Sequence, residues 1–276
     1  MIASHLAVVT LSFLMLALQA DIVDATPLKD GPQRRLIIAT IPDNPLSQVG
    51  MPLLEQIYQK VGVAVEFRPI PPARATNMLM REQLDGVLAR FEGFERQAIG
   101  SIKVPVSLTA ISLVAFARED QVARLRGGKG RPVRVGLLRG LSVGLELEKF
   151  SEPMLANTTE QLMELLQHRR IDVAIDVDAV GAYFIRDKGL DDIRIVSRPL
   201  RTLPVYHYLQ AKHRNLLPEL TLVMQELKDQ GLLDSPHQVF LERLGIDSLT
   251  LPADQLMVPE DLMVERLNRN RLLAQP

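Results

Sequence analysis

Leu84-Asp85-Gly86-Val87-Leu88-Ala89 and Ile171-Asp172-Val173-Ala174-Ile175-Asp176 start 87 residues apart, at 84 and 171, and read alike. Each follows a segment with Leu at helical spacing. Each has three polar residues, then an aliphatic residue and an Asp, then a short apolar run that fits a strand buried on both faces. A period this long does not describe a stacked solenoid. It suggests two lobes of similar wiring, although two unrelated helix-to-strand junctions of an α/β protein would read the same way.

The surrounding sequence supports strands alternating with helices. Leu36 to Ile41 is a continuous apolar, β-branched run ended by Pro42-Asp43-Asn44-Pro45, which predicts a buried strand and a turn. Met51 to Val61 has helical spacing and is stopped by Gly62, and Val63 to Phe67 alternates as a strand. Pro71 opens a helix through Glu82. Ser112 to Ala117 predicts another strand, and Glu119 to Pro132, rich in Gly and basic residues, predicts a boundary. The same pattern restarts at Val133 to Leu138, followed by Arg139-Gly140-Leu141-Ser142, and continues with a helix over Glu160 to Arg169. Val205 to Leu209 crosses back. Two helices, Leu216 to Gln230 and Pro236 to Leu244, are then expected on the first lobe. The tail from Asp247 is interrupted by Pro252 and Pro259.

Composition excludes several classes of function. The 276 residues include 32 Lys and Arg against 33 Asp and Glu, so no basic stripe for a nucleic acid is expected. Zero cysteines exclude disulfides, thiolate metal sites, a Cys nucleophile and a Cys-linked lipid anchor. With five scattered His, no metal site is expected, and no cofactor. Gly-Xaa-Ser-Xaa-Gly and His-Glu-Xaa-Xaa-His are absent, and Gly127-Gly128-Lys129-Gly130 lacks the Ser or Thr of a phosphate loop. Leu6 to Leu18 is an apolar run shorter than the about 20 residues needed to span a bilayer. Small residues follow it, so a cleavable signal with a cut after Ala25 is expected, and with it a periplasmic protein.

In order and spacing, these segments resemble the periplasmic solute-binding proteins of the amino-acid-binding type (family 3-like, type 2 periplasmic-binding fold), in a divergent branch. The resemblance covers about residues 35–245. Its carriers are the opening strand with Pro42-Asp43-Asn44-Pro45, Leu84-Asp85-Gly86-Val87, Glu95-Arg96 before Val104-Pro105-Val106, Val135-Gly136 with Gly140 and Ser142, Ile171-Asp172-Val173-Ala174, and Leu227-Lys228-Asp229-Gln230-Gly231. It implies two α/β lobes, each a mostly parallel sheet flanked by helices, joined by two hinge crossings. Residues 26–117 with 206–246 would form the first lobe and 118–205 the second, after a signal at 1–25 and before a tail at 247–276.

The resemblance also places the ligand site. An Arg near Arg96 pairs with the ligand carboxylate in such proteins, and a guanidinium donates two parallel hydrogen bonds to a carboxylate. Where the family offers small hydroxyl residues, this chain has Ala89-Arg90-Phe91-Glu92. Arg90 stands at the carboxyl end of a strand, where open α/β sheets bind ligands, and Glu92 is its possible partner. Arg139 and Ser142 flank a strand-to-helix turn suited to an anion or to plain capping. Asp178, ahead of Asp176, is the candidate for a ligand amine. Asp43 would face the cleft, and Arg74 and Tyr183 are weaker candidates.

The expected function is capture of a small anionic or zwitterionic solute, an amino acid or small carboxylate, by a monomer that serves a membrane transporter or receptor. Two alternatives remain: an exported dehydratase-like lyase using Glu92, and an interaction protein without a ligand.

Overall fold

The structure, a computed structural model, describes residues 35–127, 133–139 and 153–257. The expected signal at 1–25, the Gly140–Ser142 turn and the tail beyond Met257 lie outside them. Strand β1 (Leu36–Thr40) is followed by α1 (Pro45–Lys60), β2 (Val65–Pro69), α2 (Pro72–Met80) and β3 (Gly86–Phe91). Strand β4 (Ser101–Arg118) leads to α3 (Val122–Gly127), β5 (Val135–Leu138), β6 (Met154–Ala156), α4 (Thr159–Gln167), β7 (Val173–Val177), α5 (Asp178–Lys188) and β8 (Ile193–Ile195). Strand β9 (Arg201–Gln210) returns, followed by α6 (Leu217–Asp229), α7 (Ser235–Leu244) and α8 (Ile246–Leu249).

The strand order β2-β1-β3-β9-β4-β7-β5-β6 is two copies of one arrangement back to back. β1 lies between β2 and β3, all parallel, and β5 lies between β6 and β7, all parallel. The two sets meet through β9 and β4, which pair antiparallel from Ser101↔Gln210 to Leu113↔Arg201. Beyond Leu113, β4 pairs with β7 and β8, while the other end of β9 pairs with β3. These two strands are the crossings between the lobes.

The 87-residue correspondence extends to individual hydrogen bonds. Helix α2 closes with Gln83 N–H donating to Met78 O (2.9 Å), and α4 with Arg170 N–H donating to Leu165 O (2.8 Å). Glu82 and Arg169 take the left-handed conformation, with φ of 59° and 57°. Each following Asp then clamps the first strand of its lobe. Asp85 N–H donates to Ile37 O and Asp85 Oδ2 accepts from Ile37 N–H, both at 2.9 Å. Asp172 N–H donates to Arg134 O (2.8 Å) and Asp172 Oδ2 accepts from Arg134 N–H (3.0 Å). Both carboxylates are buried and ion-paired: Asp85 with Lys212 (3.1 Å), beside a hydrogen bond to His213 Nε2 (2.7 Å), and Asp172 with Arg124 and Arg134, each at 3.0 Å. Gly86, next in sequence, has no room for a side chain, because a Cβ there would lie 2.7 Å from the backbone oxygen of Tyr208.

The first lobe buries both faces of its sheet. Leu54, Ile57 and Tyr58 of α1 and Leu220 and Met224 of α6 pack with Ile38 and Leu209 on one face. Ala75 and Leu79 of α2 pack with Ala39 and Val87 on the other, as the two-residue alternation of a strand requires. A polar tie crosses this core. His207 on β9 lies 2.9 Å from Val87 O through Nδ1 and 2.9 Å from the Tyr58 hydroxyl through Nε2, so the proton is assigned to Nδ1 and Tyr58 donates to Nε2. Burial lowers the His207 pKa to about 4, more than its bonds to the Val87 and Leu88 carbonyls raise it.

Three elements differ from the sequence reading. Helix α1 starts at Pro45 rather than Met51: Asn44 caps it by accepting from Leu46 N–H (2.9 Å), and Pro45 sits in the first turn, where it leaves no hydrogen bond unmade. Strand β4 begins at Ser101 rather than Ser112. The C-terminal helices divide: α6 packs on the first lobe, whereas α7 lies against both α1 of the first lobe and α5 of the second, with Phe240, Leu241 and Leu244 of α7 and Leu249 of α8 packed against Phe116, Leu162 and Ile185.

Two predictions follow from these ties. Asp85→Ala and Asp172→Ala should each cost about 1–3 kcal/mol, because each leaves a strand N–H without its acceptor and takes a carboxylate away from its partly exposed cations, read as a fall in the urea midpoint. Burial raises the Asp85 pKa, but the Ile37 N–H, His213 and Lys212 outweigh it and bring it below the usual range. Its contribution is therefore complete above about pH 4 and is lost as pH falls further. For His207 the unfolded chain takes up a proton below about pH 6.5 while the folded protein resists until about pH 4. The stability advantage of the wild type over His207→Gln should shrink as pH is lowered through that window, and a constant difference would show that His207 does not stay neutral.

Candidate functional site

The carboxyl ends of β1, β3 and β7 converge on the crossing strands, the position at which open α/β sheets present their ligand crevice. A cavity of about 200 Å³ opens there. Ile41 follows β1 into its wall, Ala89, Arg90 and Phe91 come from β3, and Val177 and Val180 from the β7–α5 junction. Leu108, Thr109 and Ile111 of β4 and Val205 of β9 form the hinge side. The inner face of α1, with Leu46, Val49 and Leu53, and the start of α7, with Pro236 and His237, complete it.

Arg90 is the charged residue in this wall. The β3–β9 register shifts between Val87 and Arg90, an irregularity of the kind that re-aims a side chain at the end of a strand. Its guanidinium carbon lies 5.4 Å from the centroid of the Phe94 ring, and Nη1 donates to Ala89 O (2.7 Å). Phe94 is held by an edge contact with Tyr208, whose hydroxyl donates to Glu95 Oε2 (2.9 Å). Nη2 of Arg90 is buried and has no hydrogen-bond partner among the described residues. Burial lowers the pKa only to about 10, so the group is charged at neutral pH. The aromatic face offsets part of the lost hydration, and a carboxylate would offset more.

The other candidates are dispersed. Asp43 is exposed in the turn before Asn44, with φ 53°. Arg74 is exposed on α2. Glu92 is exposed and ion-paired with Lys103, not with Arg90. Arg96 is exposed, its guanidinium folded over Gly93. Arg139 is exposed, and its Nε donates to Asn157 Oδ1 (3.3 Å). Ser142 lies outside the described residues. Tyr183 packs at the edge of the second lobe's core, 5.6 Å from Phe184.

The acids after β7 have partners within the protein. Asp176 is fully buried, accepting from the Thr159 hydroxyl and from Val177 N–H, both at 2.7 Å, and burial pushes its pKa up to about 6. Asp178 starts α5, accepts from Ala179 N–H (2.7 Å), and is close enough to His237 for their charges to interact. Burial raises the Asp178 pKa and lowers that of His237. His237 gave no signal in the sequence, because only the packing of α7 against both α1 and α5 brings it to the cavity. The apolar wall was likewise hidden: its residues are spread over α1, β3, β4, β7, α5 and β9, where they read as core positions.

No family model matches the chain, and no curated protein sequence matches it. Solved structures do. A histidine kinase sensor domain with similarity to periplasmic binding proteins matches with a TM-score of 0.61 at 20% identity, over 76% of this chain and 96% of the other. The GluR0 ligand-binding core in complex with L-glutamate matches at 0.64 and 12% identity, over 78% and 99%. An ancestral amino-acid-binding protein, AncCDT-1, described as a precursor of cyclohexadienyl dehydratase, matches at 0.59 and 13%, over 75% and 94%. The chain therefore has the two-lobed fold of the periplasmic binding proteins. Its structural neighbours include amino-acid-binding proteins and sensor domains.

A buried cation with an open donor is a liability in the empty protein. Arg90→Met, which keeps the volume and removes the charge, is expected to hold the melting temperature of the ligand-free protein or raise it by the equivalent of about 1 kcal/mol. A fall of the size of a core truncation, about 2 kcal/mol or more, would show that the guanidinium is structural cement. Arg96→Ala and Glu92→Gln, both on the surface, should stay within about 0.5 kcal/mol of wild type.

Proposed function

We propose that this chain is an exported solute-binding protein that closes its lobes on a small anionic or zwitterionic solute and presents the closed form to a membrane transporter or sensor. The observation that carries the reading is Arg90: a residue of the wall of an interlobe cavity, whose guanidinium lies over Phe94 and keeps a buried donor that no described residue satisfies. A solute carboxylate placed against Nη2 supplies the missing acceptor. Because the wall is drawn from both lobes and both crossings, such a solute favours the arrangement in which those surfaces meet and shifts the equilibrium toward it.

The neighbours support binding as the general activity, and one of them joins an amino-acid-binding protein to a dehydratase lineage. Glu92, the acid on which the lyase reading rests, is exposed and engaged by Lys103. Export is inferred from the apolar run Leu6–Leu18. Among the described residues no helix is long and apolar enough to cross a membrane.

A thermal-shift screen of the purified protein against amino acids and small carboxylates tests this reading. A solute present at a hundredfold its Kd adds about 2.7 kcal/mol, several degrees for a chain of this length. The expected hit disappears in Arg90→Met and persists in Arg96→Ala. A folded protein that responds to no member of the panel would refute the proposal.

A further inference from the structure

The chemistry of the cavity specifies more than a carboxylate. Its polar lining is small, and most of it is already engaged. Asn44 Oδ1 is the cap of α1 and accepts from Leu46 N–H (2.9 Å), and the Ser47 hydroxyl donates to Ile41 O (3.2 Å). His237 is buried, its Nδ1 has no partner, and burial holds its pKa below the usual value, so it is neutral at pH 7. No acidic residue stands among the described lining residues. Beyond the wall, Asp176 and Asp178 accept from Thr159, Val177 and Ala179, and Asp178 and Asp234 are close enough to His237 for their charges to act on it. The cavity thus offers one positive charge and no negative one.

That charge balance discriminates between ligands. The carboxylate of a bound solute finds Arg90. The ammonium of a free amino acid would lose its hydration, find no counter-charge and share a small apolar space with a second cation, a buried unpaired charge of the most costly kind. The remaining wall is aliphatic, built largely from Leu46, Leu53, Leu88, Ile111, Val180 and Leu233. Size narrows the ligand further. A cavity of about 150 Å³ admits benzene, so about 200 Å³ suits one ring or a branched chain carrying a short carboxylate arm.

Resting on the solute-binding reading above, we infer that the ligand is an amine-free apolar monocarboxylate, an aryl-alkanoate or branched-chain acid, with its carboxylate on Arg90 and its hydrocarbon body between α1, the crossing strands and α5. Selectivity comes from the absence of an acid in the wall as much as from the presence of Arg90. It is a discrimination against amino acids by uncompensated charge.

Matched pairs test it by calorimetry on the full protein. 4-Methylpentanoate is compared with leucine, and 3-phenylpropanoate with phenylalanine, each pair differing in the α-ammonium group. The corresponding primary amides remove the carboxylate charge without altering the protein. At least one acid is expected to bind, about ten- to hundredfold more tightly than its amino acid and its amide. Binding should be lost in Arg90→Gln, with thermal unfolding as the check that the variant is folded. Leucine or phenylalanine binding as tightly as its deaminated partner would overturn the ligand class while leaving the solute-binding reading standing. An amide equal to its acid, or undiminished binding to folded Arg90→Gln, would overturn the placement of the carboxylate. Binding of a polar amino acid alone would overturn this inference only, whereas silence across acids, amino acids and amides would overturn both readings.

Discussion

The antiparallel ladder between β4 and β9 is the constraint on which the rest of the molecule depends. Ser101 to Leu113 on one strand and Arg201 to Gln210 on the other run through both lobes, so the two parallel half-sheets are edges added to one shared ribbon. β3 attaches to β9 and β7 to β4, which turns the carboxyl ends of both half-sheets toward the space beside the ribbon. The cavity is a product of that geometry. Its hinge wall is the ribbon itself, and its other walls are the first residues after strands that the ribbon has aligned.

The duplication around the ribbon was legible because it is written in local chemistry. Leu84-Asp85 and Ile171-Asp172 each follow a helix whose end is set by backbone bonds and one left-handed residue, and each Asp then reaches the neighbouring strand's N–H. Such motifs recur in sequence because every part of them lies within a few residues or on the adjacent strand. The length of β4 was not legible. Pro105 and the polar Ser107 and Thr109 interrupt the apolar pattern, and the strand persists there because β9 supplies the pairing. Similarly, Pro42-Asp43-Asn44-Pro45 reads as a turn, yet its last residues already cap and open α1.

At the site, sequence reasoning reached Arg90 through its place at the end of a strand, a rule of topology. It did not reach the apolar wall or His237. Hydrophobic residues carry no mark that separates those filling a core from those lining a space. Placing His237 requires knowing that α7 packs against both α1 and α5, a matter of tertiary packing alone. Arg90 also shows what a buried, unpartnered donor costs a fold, a demand that a bound carboxylate would meet under the proposed function.

The crossing ribbon has a mechanical consequence. The β4–β9 register shifts between Lys103 and Ser107 and again between Ser107 and Thr109, and Pro105 and Pro204 bring no N–H to the ladder. A two-stranded ribbon resists bending through its cross-strand bonds, so its compliance is concentrated where they are missing. That soft section borders Leu108, Thr109 and Val205, which line the cavity. Flexing the ribbon and reshaping the cavity are thereby one and the same deformation, so under the proposed function a solute that fills the space would stiffen the joint that bends to release it.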